Sequence, residues 1–147
     1  MAPNDNLAIV KNLYTLFNQR KLDDAAKAVA PTCTWTNVAS GQTFNGPSGF
    51  KEFCQGWLTG FSDARIEVRN QIANADTVVT EFTGRGTNDG PLKTPSGSIP
   101  ATHKKLDMNF IEVLKLENGK VIEARAYFDS ATLMRQLGVL PESATAR

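Results

Sequence analysis

Residues 106–117 read LDMNFIEVLKLE, and the alternation within them decides the fold. Leu106, Met108, Phe110, Leu114 and Leu116 share one parity. Asp107, Asn109, Lys115 and Glu117 share the other, together with Ile111 and Val113. A period of two marks a strand with one buried face. Glu112 breaks the pattern, because it stands at the apolar parity between Phe110 and Leu114. Asn118-Gly119 follows, the strongest short hairpin signal, since both residues accept positive φ. The return strand is KVIEARAYFD (120–129), and ATLMRQLG (131–138) reads as a short closing helix. A carboxylate on the apolar face of a central strand is either the floor of a cavity or the partner of a buried Arg, Tyr or Trp.

Upstream, the period changes. Asn4 or Asp5 is placed to cap a first helix, in which Leu7, Val10, Leu13, Tyr14 and Phe17 recur at three and four. Leu22 to Ala30 reads as a second helix, with Asp23 and Asp24 at its positive end and Pro31 as its stop. Cys33 to Asn37 is a short strand. Ser40-Gly41 and Asn45-Gly46-Pro47 are turns, and a third helix runs from Ser48 to Leu58. Phe50, Phe53, Cys54 and Trp57 form its aromatic face, which Phe61 extends. Two long strands follow, residues 64–72 and 75–87, with Gly84 and Gly86 expected to mark a bulge or bend. Thr87 to Ala101, rich in Gly, Pro, Ser and Thr, is a long connection to the strand at 106. Helices followed by a strand meander make an α+β fold, with helices gathered on one side of a curved antiparallel sheet. Such a cone has an inside, and Glu112 points into it.

Composition narrows the function. The 147 residues are 41% hydrophobic with a formal net charge of +1, which suits one domain, with a core over about residues 5–140 and a frayed tail at 141–147. Interspersed charge argues against nucleic acid as a partner, since backbone binding needs a concentrated basic face. There is no run of 18 apolar residues for a membrane span and no basic-then-apolar leader, so the expected location is cytoplasmic. Cys33 and Cys54 read as free thiols. No GxSxG, HExxH, CxxC or glycine-rich phosphate loop is present, and one histidine without clustered carboxylates points to no metal and no cofactor.

The segments FNQRKLDDA, FNGPSGF, GFSDARIEV, GRGTNDGPL, IPATHKKLDM, LENGKVIEA and FD…LMRQLG, in that order and spacing, resemble the SnoaL-like polyketide cyclases of the nuclear-transport-factor-2-like superfamily. The resemblance runs from about Leu7 to Leu140. It implies an α+β cone with three N-terminal helices enclosing a deep pocket, assembled as a homodimer or higher oligomer through the sheet. It also implies cofactor-free ring closure of polyketides in secondary metabolism, lyase- or isomerase-type chemistry on small hydrophobic ligands. Relatives in the superfamily include hydroxylases, isomerases, epoxide hydrolases and proteins without catalysis, so fold alone does not fix function. The cyclase pattern keeps an acid/base aspartate three residues before the position of Asp129, and here that residue is Ala126. It keeps a histidine at the position of Glu112, and another in the turn where this chain has Asn88.

Glu112 is therefore the leading catalytic candidate, because burial raises a carboxyl pKa towards the range useful for acid/base work. His103, the only histidine, is a candidate base at the cavity rim, or an exposed loop-end residue. Asp129 precedes SATL and suits an N-cap, with catalysis as the alternative. Tyr14, Trp35, Phe53, Trp57, Phe61, Met108, Phe110 and Phe128 would line an open cone or fill a closed one, and Ala126 leaves space on the last strand. Arg85 would clamp an acidic group of a ligand, or lie on the exposed face. Binding without catalysis is the second reading of the whole chain.

Overall fold

Residues 3–139 are described by a computed structural model. The first helix, α1, spans Pro3–Asn18. Proline suits the first turn of a helix, where its missing N–H costs nothing. Asn4 and Asp5 thus fall inside the helix rather than ahead of it, and Asp5 acts on the helix dipole from the first turn. The stripe of Val10, Leu13, Tyr14 and Phe17 is buried as its spacing demands. Helix α2 is only Leu22–Ala26, not the longer helix expected up to Ala30. Strand β1 begins at Val29 and runs to Asn37, so Pro31 lies inside a strand instead of ending a helix. Its register against the neighbouring strand is interrupted between Val29 and Thr34, and that irregularity accommodates the proline.

Strand β2 (Gln42–Asn45) leads directly into helix α3 (Gly46–Gly60), followed by β3 (Arg65–Asn74) and β4 (Thr77–Thr87). A small hairpin of β5 (Leu92–Thr94) and β6 (Gly97–Ile99) occupies the long connection. Strands β7 (Lys105–Glu117) and β8 (Lys120–Tyr127) and helix α4 (Ser130–Gln136) complete the chain. The main sheet has the order β2-β1-β8-β7-β4-β3. Strands β3, β4, β7 and β8 pair antiparallel in succession, as the meander required, while β1 joins β8 in parallel. The sheet is therefore mostly, not wholly, antiparallel.

Helix α1 packs against β3 and β4, and α3 packs against β1 and β2. Together they cover the inner face. On β7 every residue of the apolar parity, Glu112 included, is buried, and its neighbours alternate outward. Asn118 and Gly119 both take positive φ, 52° and 77°, in the two-residue turn joining β7 to β8. Two elements depart from expectation around the glycines of β4. The β4–β7 register is unbroken from Thr77 to Thr87, and the bulge falls on β3 at Arg69 instead. Gly84 serves another purpose: a Cβ there would stand 2.7 Å from Cε1 of Phe110. The missing side chain is the room that an aromatic ring occupies.

Helix α4 closes the fold. The Asp129 carboxylate accepts from the Ala131 and Thr132 backbone N–H groups at 3.0 and 3.4 Å, and from the Thr132 hydroxyl at 2.9 Å. At the other end Gly138 takes φ 74°, and Val139 N–H returns to the Met134 carbonyl, a left-handed stop. Gln136 holds the helix on β7 through a reciprocal pair with the Asp107 backbone. No helix among the described residues is long and apolar enough to cross a membrane. The tail at 141–147 lies outside the described residues.

Candidate functional site

Between the helices and the sheet lies a cavity of about 80 Å³, walled almost entirely by carbon. Tyr14, Trp35, Phe53, Trp57, Phe61, Phe110, Ala126 and Phe128 all line it. So do Leu13, Phe17, Phe50, Cys54 and Phe82, which the sequence reading did not mark as cavity residues. Phe82 was within reach of that reading, because it shares its parity with Gly84 on β4. Met108 is buried but is not part of the wall. Phe82 and Phe110 stack with centroids 5.1 Å apart and planes 3° apart, and Trp57 meets Phe110 edge-on at 5.7 Å. For scale, roughly 150 Å³ holds a benzene. The cone is neither open nor filled: rings occupy most of it and leave a narrow space. Ala64, Arg65, Ile66 and Arg85 are the lining residues at the start of β3 and the end of β4 that reach solvent, so the cavity opens there.

Glu112 stands in this wall, 5% exposed. The Tyr14 hydroxyl donates to its Oε1 at 2.8 Å. Helix α1 supplies the tyrosine and β7 the carboxylate, so the contact ties the helical layer to the sheet across 98 residues of chain. Register places Gln71, Thr80, Glu112 and Ala126 in one row across β3, β4, β7 and β8. Gln71 Nε2 donates to Thr80 Oγ1 at 3.0 Å, and Thr80 is fully buried. A short polar seam thus crosses an otherwise apolar face. It was only half visible in the sequence: Glu112 stood out because carboxylates are rarely buried, whereas a threonine in a strand is unremarked.

Burial dominates the electrostatics. Loss of water pushes the Glu112 carboxyl up from 4.5 to about 7, against the Tyr14 hydrogen bond, which favours the charged form. Tyr14 is held well above the ordinary phenol range, first by burial and then by the neighbouring carboxylate. Burial likewise raises the Cys54 thiol, with Glu112 adding to the effect. Glu112 is accordingly the group in the cavity that changes charge near neutrality. Its Oε1 is taken by the phenol, and Oε2 has no hydrogen-bond partner among the described residues.

Other expected residues lie elsewhere. His103 is exposed, with φ 59°, at the end of the connection after the small hairpin, and does not line the cavity. Asp129 is exposed and committed to capping α4. Both sit outside because loop ends and helix starts face water here. The Arg85 guanidinium is directed to Asp107, at 3.0 Å, and to Glu67, so it is not free to clamp a ligand. Asp107 and Glu67 carry the outward parity, so they hold the Arg85 guanidinium on the solvent side of the mouth that Arg85 helps to line. An aspartate–arginine–aspartate site of the epoxide-hydrolase kind is therefore not formed around Arg85. Asn88 is a buried clasp: its amide donates to the Gly60 and Gly90 carbonyls and accepts from Thr102 N–H and hydroxyl. Among the described residues no group of three or more His, Cys, Asp or Glu could hold a metal ion.

The fold and this cavity agree with what the chain is related to. The family model for SnoaL-like polyketide cyclases matches residues 8–137. The chain belongs to that family. No curated protein matches it in sequence. Among solved structures, it resembles a protein from Jannaschia sp. CCS1 assigned as a SnoaL-like polyketide cyclase, with 22% identity and a TM-score of 0.82 over 96% of this chain and 98% of that one. AclR from Streptomyces galilaeus, assigned as a hydroxylase, gives 21% identity and 0.79 over 95% and 100%. TerC, co-crystallised with polyporic acid, gives 20% and 0.71 over 91% and 98%. At these identities the likeness is one of fold.

Proposed function

We propose that this protein is a cofactor-free acid/base enzyme that removes a proton beside a carbonyl in a small hydrophobic substrate, as in cyclisation or isomerisation. The observation that carries the reading is Glu112: a carboxylate buried in an apolar cavity, with one oxygen fixed by Tyr14 and a pKa of about 7. A base must match the operating pH and be held in place, and this one meets both conditions. In the step, Oε2 takes the α-proton, the C–H electron pair forms the new C–C double bond, and the carbonyl π pair moves onto oxygen. Protonation at carbon or attack on a second carbonyl completes isomerisation or ring closure. Ala126, at the position where the cyclases keep their aspartate, is paired directly across from Glu112 on β8. The carboxylate has moved one strand over, and the alanine clears the space beside it.

The cavity volume adds a condition. At about 80 Å³ even a monocyclic ketone enters only if rings such as Trp57 and Phe128, both partly exposed, swing aside, and a polycyclic substrate demands more. Monocyclic ketones are the appropriate first probes. Acetophenone in D2O should exchange its α-hydrogens in the presence of the protein, read by proton NMR, and Glu112→Gln should slow that exchange by at least about 100-fold. Equal exchange by wild type and variant would sink the assignment. The second reading is a binding module without catalysis, and the alanine at the family's aspartate position favours it. Acetophenone bound by the wild type with no exchange above buffer would establish it. As a homodimer the chain would pair through the outer sheet face, where Ile72, Ile111 and Tyr127 are exposed. Sedimentation equilibrium decides that point, and a monomer up to millimolar concentration would overturn it.

A further inference from the structure

Trp35 carries a polar group that the fold leaves unused. The residue is 3% exposed, lies in the cavity wall, and its indole Nε1–H has no hydrogen-bond partner among the described residues. Buried donors are nearly always paired, so an orphan in a native wall requires a reason. Around it are the rings of Phe50 and Phe53, at 4.9 and 5.9 Å between centroids, which offer no acceptor oxygen or nitrogen. Trp35 sits on β1 opposite Ala124, and Glu112 sits on β7 opposite Ala126. Two strand spacings and one two-residue step therefore separate the Cα atoms of Trp35 and Glu112, roughly 12 Å. Between them β8 presents only the two alanines, so no large side chain of that strand divides the donor from the carboxylate.

We infer that Trp35 Nε1–H is the donor that takes the ligand's carbonyl oxygen, so that the cavity selects ketones and holds them with their α-carbon towards Glu112. The inference rests on the proposed acid/base reading and names the recognition element that the reading lacks. As Glu112 Oε2 receives the proton, the charge that develops on the carbonyl oxygen is met by the indole N–H. A neutral donor fixed in an apolar wall suits this task, because it needs no reorganisation when charge appears. A hydrocarbon of the same shape would leave the N–H unpaired and would be rejected relative to the ketone.

Acetophenone and ethylbenzene form the test pair, being close in shape and differing in the oxygen. Calorimetric titration of the wild type should show acetophenone bound roughly tenfold more tightly, the scale of one hydrogen bond in a buried site. Trp35→Phe should abolish that preference. Replacing the same indole by benzothienylalanine, which keeps the size and removes only the N–H, should do likewise without disturbing the packing. The carbonyl stretch of 13C-labelled acetophenone should lie lower in the wild-type complex than in either variant. Glu112→Gln should keep both the preference and the stretch while losing exchange, so the two proposals fail separately. Equal binding of ketone and hydrocarbon by the wild type, or a preference that survives benzothienylalanine, overturns the role of Trp35. Binding of neither probe overturns the ligand cavity and this inference with it.

Discussion

Glu112 and Asp129 belong to one structural unit, the β7–β8 hairpin with its closing helix, and their environments push them in opposite directions. Asp129 is exposed and receives hydrogen bonds from the Thr132 hydroxyl and from the backbone N–H groups that open α4. These hold its carboxyl below its usual 3.8. Glu112 is shut into a carbon-walled cavity, and burial carries it up to about 7 in spite of the one bond it receives. The Asp129 oxygens are therefore acceptors at neutral pH. The Glu112 carboxyl is poised between its two forms. Side-chain type does not decide which carboxylate can exchange a proton near neutrality; the number of donors around it and its access to water do.

Stability against pH should expose the contrast most strongly. For Glu112 the folded pKa is the higher, so its neutral form favours folding fully below 4.5, and that benefit is lost as pH rises through about 7. The gap corresponds to about 3 kcal/mol, an order-of-magnitude figure for a fully buried group. Denaturant titrations at pH 4 and pH 8 should therefore show the wild type losing up to about 3 kcal/mol relative to Glu112→Gln. The variant should be the more stable protein at pH 8 and the inactive one. Parallel curves for the two proteins would mean that the carboxylate is better solvated than its place in the wall allows.

The next effect isolates the tyrosine. Its hydrogen bond is the one force that opposes burial at Glu112, so removing it must raise the carboxyl further. Tyr14→Phe should shift the midpoint of the pH–rate profile for acetophenone exchange to higher pH. Exchange at pH 7 would fall while the alkaline plateau largely survives. A profile with an unmoved midpoint would show that Tyr14 does not govern the ionisation. Stability should drop by about 1–3 kcal/mol at pH 8, where the charged carboxylate loses its partner.

The difference in legibility between these regions has a physical basis. The period of β7, the Asn-Gly turn and the cap at Asp129 are local effects of backbone geometry, and each could be read from adjacent residues. Glu112 was visible as a misfit for the same reason. A buried Arg, Tyr or Trp could be expected as its partner and Tyr14 as a cavity residue, but not their pairing, because Tyr14 arrives from a helix 98 residues away. Thr80 and Phe82 share a parity that could have marked them, but strands tolerate both types on a buried face. Pro31 misled because its usual role of ending helices was overridden by an irregular stretch of β1. The outward turn of Arg85 follows from Asp107 directly opposite it on β7 and Glu67 one diagonal step away on β3, which requires the strand pairing to be known.

The smallest effects belong to the exposed charges, and their smallness is itself the test. Asp129→Ala removes the cap of a helix pinned to β7 by Gln136, so it should lower the thermal midpoint by a few degrees. Its contribution runs opposite in pH to that of Glu112. With the folded pKa below 3.8, it is present above that value and lost only as the solution becomes more acid. The variant and wild type should therefore differ by the same amount at pH 5 and pH 8, where the Glu112 variant changes most. Arg85→Ala should change less still, since ion pairs in contact with water are screened and contribute little. Its exchange activity and pH midpoint should match those of the wild type. A displaced midpoint in Arg85→Ala would mean that the ion cluster at the mouth reaches Glu112, and the separation between cavity and surface would then fail.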